Sequence, residues 1–180
     1  MTRVVGVISG KGGVGKTVVA INTAAALHKY YNMKVLLIDC NITTSHVGLY
    51  LGLYSTPITL NDALRGNIGI EKTIYEHSSG ISVIPASLKL EDLKSIDWQV
   101  MKEKTAEIID KYDYIILDSS PGFNRESLIT LGASSEAIMV TNPIVHTVAD
   151  LIKCKQICDE LRVRQLGIVL NMVRGKKYEL

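Results

Sequence analysis

The sequence predicts an α/β fold, a doubly wound and mostly parallel sheet with helices on both faces. Short runs rich in β-branched residues alternate with longer segments whose apolar residues recur at helical spacing. The strand runs are almost continuously apolar, as expected of strands covered on both faces in a parallel sheet. In such a sheet a ligand lies beyond the carboxyl ends of the strands. The loop after Ser9 and the residues Asp39, Asp118, Asn142 and Asn171 all fall at such ends.

Taken in order, Arg3 to Ser9 (RVVGVIS) reads as a buried strand. Lys16 to Tyr31 is Ala-rich with helical apolar spacing, and reads as a helix. Val35 to Asp39 (VLLID) is a second strand, and Thr59 to Leu64 begins a short helix with Thr59 as candidate cap. Ile81 to Pro85 (ISVIP) is a third strand, followed by a helix over Trp98 to Lys111. Tyr114 to Asp118 (YIILD), Ala137 to Thr141 (AIMVT) and Leu166 to Asn171 (LGIVLN) complete the strands. Between them, Arg125 to Leu131 and Val145 to Leu161 read as helices. Asn41 to Ser82 carries the weakest pattern. No repeat, low-complexity tract or linker divides the chain, so 180 residues are expected to form one domain.

Composition excludes several classes. Hydrophobic residues are 47% and charged residues 21%, which suits a buried core and not disorder. Lys and Arg number 20 against 18 Asp and Glu, a formal charge of +2 that gives no global reason to expect nucleic acid. No uncharged apolar run reaches the length of a membrane span. The amino terminus runs straight into a strand pattern, unlike a signal peptide. Cys40, Cys154 and Cys158 do not make a disulfide framework, so a reducing cytoplasm is the expected location.

Gly10-Lys11-Gly12-Gly13-Val14-Gly15-Lys16-Thr17 satisfies G-x-x-x-x-G-K-[ST], between a strand and a helix. Glycines let successive amides approach phosphate oxygens with no Cβ in the way. The following helix offers unpaired N–H groups and a positive dipole end. The expected nucleotide-binding set is therefore Gly10 to Val18, with Lys16 reaching the β and γ phosphates and Thr17 ligating Mg²⁺. A phosphate loop does not require Lys11, which reads equally well as a solvated lysine. Asp118 ends an apolar strand, the expected place for the acid that holds Mg²⁺. Gly122 follows at D-x-x-x-G, its amide a candidate γ-phosphate sensor. Asp39 ends another strand and reads either as a holder of Mg²⁺-bound water or as a turn residue.

With its additional Lys11, the run Gly10 to Thr17 resembles the deviant phosphate loop of the MinD/ParA family, ATPases that dimerise with ATP bound. The resemblance covers nearly the whole chain. Leu36 to Asn41 (LLIDCN) is similar to the family's D-x-D segment, and Ser119-Ser120-Pro121-Gly122 to the switch after its Mg²⁺-site acid. Thr141-Asn142-Pro143, followed by Val148 and Asp150, resembles the MinD-like branch more than the ParA-like one, as does Ile84-Pro85-Ala86-Ser87. It implies a P-loop NTPase fold, ATP or ADP with Mg²⁺ as cofactors, and an ATP-dependent homodimer. A regulatory or cargo protein partner is also implied, in the placement of a division site or other cell component. It further implies that Lys11 crosses the dimer interface to the partner's phosphates, as an arginine finger does, and that Asn171 binds adenine. An amide suits that base in type.

Two departures stand out. The family's second acid is replaced by Asn41, which orients water but cannot take its proton, so slow turnover is expected. Lys11, Lys16, Asp39, Asn41 and Asp118 thus make the expected catalytic set, with Thr17, Asp39 and Asp118 at the metal. The chain also stops soon after Asn171, where MinD-like proteins continue with further strands and often an amphipathic membrane helix. Truncation at the carboxyl end is expected, with peripheral membrane contact only through the segment beyond it.

Weaker candidates remain. Cys154 and Cys158 share a helix face and read as buried thiols or a soft-metal pair. His146 reads as a polar residue at the crevice rim, and Asp150 as a partner of Lys153 or a cap. Tyr30, Tyr31, Tyr50, Tyr54, Tyr112 and Tyr114 are expected to pack. Arg162, Arg164, Arg174, Lys176 and Lys177 cluster late without interleaved aromatics and read as a solvated face, so no nucleic acid is predicted for this chain. Alternative functions are an ATP-binding recruitment module with little turnover, a metal-centre assembly ATPase and a ParA-like DNA-partition ATPase.

Overall fold

The computed structural model describes residues 1–66 and 68–174. In chain order its elements are β1 (Arg3–Ile8), α1 (Lys16–Tyr31), β2 (Val35–Asp39), α2 (Val47–Tyr50), α3 (Leu60–Leu64), β3 (Tyr75–Glu76), β4 (Ser82–Ile84), α4 (Met101–Ala106), β5 (Tyr114–Asp118), α5 (Arg125–Gly132), β6 (Glu136–Thr141), α6 (Val145–Glu160) and β7 (Arg164–Leu170). The described strands join one sheet in the order β3-β4-β2-β5-β1-β6-β7. Every neighbouring pair is parallel except β3 with β4.

Strand periodicity of two sorts the core onto two faces. Val5 and Val7 of β1, Val35 and Leu37 of β2 and Ile116 of β5 meet Ala20 and Ala24 of α1. Alanines on that helix face let it lie close to the sheet. Val4, Leu36, Ile38, Ile115 and Leu117 point the other way, against Leu60 and Leu64 of α3 and Met101 of α4. Ile8, Ala137 and Met139 pack against Leu131 of α5 and against Cys154 and Cys158 of α6. Helices therefore cover both faces, and β1 lies inside the sheet, so the loop that follows it opens at mid-crevice.

Several elements differ from the sequence reading. The weakly patterned segment holds α2, α3 and β3, and α3 starts with the expected cap, a capping box of Thr59 and Asp62. Trp98 to Lys111 is not one helix. It breaks into a 3-10 turn, the short α4 and a second 3-10 turn over Ile109–Lys111. Thr105 donates its hydroxyl to the Met101 carbonyl (2.8 Å) and the β-branched Ile108 leaves helical geometry at φ −120°. The last strand also departs from expectation: β7 is an edge strand, largely exposed, rather than covered on both faces. Its pairing with β6 slips at Ala137/Ile138, skipping Leu166 just before Gly167, whose φ is 155°. Four of the six tyrosines expected to pack (Tyr30, Tyr31, Tyr50 and Tyr54) are exposed instead. They lie on helix ends and loops at the surface.

Candidate functional site

The loop between β1 and α1 bends through two left-handed glycines, Gly13 at φ 80° and Gly15 at φ 88°. Gly15 is also the N-cap of α1, so no side chain caps that helix. The helix ladder begins only with Val19 N donating to the Gly15 carbonyl (3.0 Å). Uncapped amides of the first turn thus point out of the loop, the arrangement that receives anions. Lys11 to Val18 line one cleft of about 330 Å³, together with Asn41 and with Thr44, His46, Tyr50, Pro121 and Met172. Gly10, Asp39, Asp118, Gly122 and Asn171 stand behind this lining.

Parallel pairing sets Asp39 opposite Asp118, at the ends of β2 and β5. Lys16 is buried beside them. Its Nζ lies 3.3 Å from Asp118 Oδ1 and donates also to the Ser119 carbonyl. Burial raises the Asp118 carboxyl, while the Lys16 charge and a Thr17 hydrogen bond pull it down. Asp39 is committed to its own loop. Its Oδ2 accepts from Ser45 Oγ (2.7 Å), His46 N (3.2 Å) and Val47 N (3.1 Å), and its Oδ1 from Asn41 N (3.1 Å). Burial and the nearby Asp118 charge push its carboxyl up to about 7, against these bonds.

Asn41 faces the cleft while its amide closes a turn. Its Nδ2 donates to the Thr44 carbonyl (2.7 Å) and Thr44 Oγ1 donates to its Oδ1 (3.1 Å). The Gly122 N–H donates to the Ser9 carbonyl (3.0 Å), so a γ-phosphate would have to replace that bond. Asn171 Nδ2 donates to the Val14 carbonyl (2.9 Å), and its backbone N–H to the Thr141 carbonyl (2.8 Å). It buttresses the phosphate loop from the position just after β7. Lys11 is exposed, with Nζ 2.6 Å from His146 Nε2. Sequence reasoning placed His146 at the rim but missed this contact, and missed His46 and Tyr50 in the weakly patterned segment.

The remaining candidates that the structure describes lie apart from this cleft. Cys154 and Cys158 are buried among Ile8, Leu131 and Met139, and burial pushes the Cys154 thiol up to about 12. Among the described residues no three His, Cys, Asp or Glu side chains group to hold a metal. Arg164 Nη1 lies 3.4 Å from Glu136, and Asp150 lies 3.9 Å from Lys153. Lys176 and Lys177 lie outside the described residues. No helix among those residues is long and apolar enough to cross a membrane.

Residues 2–164 match the AAA domain family. An uncharacterised ATP-binding protein of Methanocaldococcus jannaschii is 34% identical over 180 residues, which is all of this chain and 68% of that protein. The septum site-determining protein MinD of Synechocystis is 29% identical, again over all of this chain and 68% of its own length. The chain thus spans about two thirds of each of these curated relatives. Among solved structures, MinD of Pyrococcus horikoshii complexed with Mg-ADP superposes with a TM-score of 0.95 at 30% identity, covering 100% of this chain and 74% of that one. By loop, strand order and these relatives, the chain belongs to the MinD/ParA family of phosphate-loop ATPases.

Proposed function

We propose that this chain is the nucleotide-binding part of a Mg²⁺-dependent ATPase switch that dimerises with ATP bound and helps place a division site or another cell component. The observation that carries this reading is the meeting, at one cleft, of the uncapped α1 amides and Lys16, with Asp118 buried 3.3 Å behind the Lys16 Nζ. The septum-site relatives support the cellular role. Magnesium suits the donor set, since Thr17 and Asp118 supply hard hydroxyl and carboxylate oxygens, Thr17 next to Lys16 in the chain and Asp118 3.3 Å from the Lys16 Nζ. When bound, the ion would neutralise charge on the phosphate oxygens.

The protein's own groups would do the rest. Amides of the phosphate loop cradle the β and γ phosphates. Lys16 exchanges Asp118 and the Ser119 carbonyl for phosphate oxygens, leaving Asp118 free to face the ion. Asp39 braces the loop that carries Asn41. Asn41 orients the attacking water without accepting its proton, so hydrolysis is slow and the ATP state long-lived. Lys11 of a second copy adds positive charge where charge spreads in the transition state. Location in the cytoplasm, membrane contact through a segment outside this chain, and a regulatory or cargo partner belong to the same proposal.

Sizing with ATP, with ADP and without nucleotide tests it, for the wild type and Lys11→Ala. A dimer with ATP alone, lost in Lys11→Ala, is expected. A monomer throughout, or an ATP dimer indifferent to Lys11→Ala, refutes the switch or the crossing lysine respectively. Asn41 favours a second reading, a recruitment module that binds ATP with incidental turnover. Phosphate release at saturating ATP and Mg²⁺ separates the two.

A further inference from the structure

Lys11 and His146 are 135 positions apart in sequence, yet Nζ of one lies 2.6 Å from Nε2 of the other. Both side chains are exposed, but the elements beneath them are braced. Ser9 Oγ donates to the Lys11 carbonyl (2.9 Å). Gly10 lies so close to Asp150 of α6 that a Cβ there would overlap it. Thr147 Oγ1 donates to the carbonyls of Asn142 (2.8 Å) and Ile144 (2.7 Å), fixing the first turn of α6. An ammonium group has donors and no acceptor, so the ring nitrogen facing it carries no proton. The contact is a lysine N–H bonded to a neutral imidazole.

We propose that His146 is a positioning residue for Lys11: the neutral ring holds the lysine against its own chain, and the protonated ring releases it. The consequence for assembly rests on the proposed switch, in which Lys11 reaches a second copy. A held lysine is engaged with the first turn of its own α6, whereas a released one is free to extend. An imidazolium offers no acceptor to an ammonium and places a like charge beside it. Of the described residues, Lys11 from the loop after β1 contacts the ring, and one turn along α6 stands Asp150, 3.9 Å from Lys153. The loop after β5 brings Pro121 and Phe123 against the same glycine loop, neither titratable. Protonation removes the ring's acceptor, so release of Lys11 grows on acidification.

Two measurements on the chain test this. The first is amine labelling of Lys11 without nucleotide, read by mass spectrometry relative to exposed Lys102. Near pH ~8, His146→Ala is expected to label about two- to fivefold faster than wild type, the ratio of a weak hydrogen bond. His146→Gln, whose amide oxygen accepts, restores the slow rate. On acidification the wild-type rate rises toward that of His146→Ala. Labelling indifferent to residue 146 and to pH overturns the proposal. The second is ATP-dependent association by sedimentation over the same acidification. Wild type is expected to gain about two- to fivefold in association on acidification relative to His146→Ala. If labelling follows His146 but Lys11→Ala associates like wild type, the latch stands and the crossing-lysine reading fails. If association needs Lys11 yet its pH profile is the same in His146→Ala, the regulatory consequence is wrong.

Discussion

Asn41 makes three bonds inside its own turn and still lines the cleft, so its identity affects both chemistry and loop geometry. Asn41→Asp restores a proton acceptor and loses the donor to the Thr44 carbonyl. Turnover at saturating ATP and Mg²⁺ should rise about tenfold or more, while the free energy of unfolding measured in urea falls by roughly 1–2 kcal/mol. Equal turnover rates would remove the case that Asn41 slows hydrolysis. Asp39 makes a pH prediction. Its folded-state carboxyl stands at about 7, above the ordinary 3.8. A raised acid contributes stability that is full below its unfolded value and lost as pH climbs through its folded one. Thermal unfolding should therefore show a loss of stability between pH 3.8 and about 7 that Asp39→Asn reduces. An unchanged slope in Asp39→Asn would show that burial and Asp118 do not raise this carboxyl as described. Neither residue's bonding was legible in the sequence. D-C-N at a strand end marks a candidate acid, but the four bonds to Asp39 arise from how the next eight residues turn back on it.

The phosphate loop is legible as an element because its demands are local: glycine where φ is positive, lysine and threonine opening a helix. What presses on it from elsewhere is not local. A Cβ on Gly15 would overlap the Asn171 amide, whereas a Cβ on Gly13 would meet nothing within 4 Å. Both have left-handed backbones. Gly13→Ala should therefore cost only the backbone strain, about 1–2 kcal/mol. Gly15→Ala should cost more and weaken ATP binding, and adding Asn171→Ala should recover part of the loss. Denaturant midpoints and nucleotide titration check this series. Equal costs at the two glycines would mean Asn171 does not press on the loop. Trp98 to Lys111 shows the opposite limit. Its apolar spacing suits a helix, yet Thr105 and Ile108 break the ladder, and spacing alone does not register that competition.

Across the whole molecule, the edge at β7 sets the largest contrast in burial. Ile168 is 57% exposed there, while Ile116 of central β5 is 1% exposed. Ile168→Lys should change unfolding free energy by less than about 0.5 kcal/mol, and Ile116→Ala should cost about 2–5 kcal/mol. A large loss in Ile168→Lys, measured by urea unfolding, would mean that β7 is covered in solution. A near-continuous apolar run gives both strands the same reading, because it reports the strand and not its place in the sheet. By itself the sequence determined the alternation of strands and helices, the phosphate loop with its acids at strand ends, and the departure at Asn41. Each depends on residues close in the chain, where side-chain type and spacing constrain the backbone directly. Tertiary structure alone decided that β5 lies between β1 and β2, that Asp39 faces Asp118, that Asn171 supports Val14, and that His146 holds Lys11. Those contacts join residues tens to more than a hundred positions apart, and only the order of the strands brings them within bonding distance.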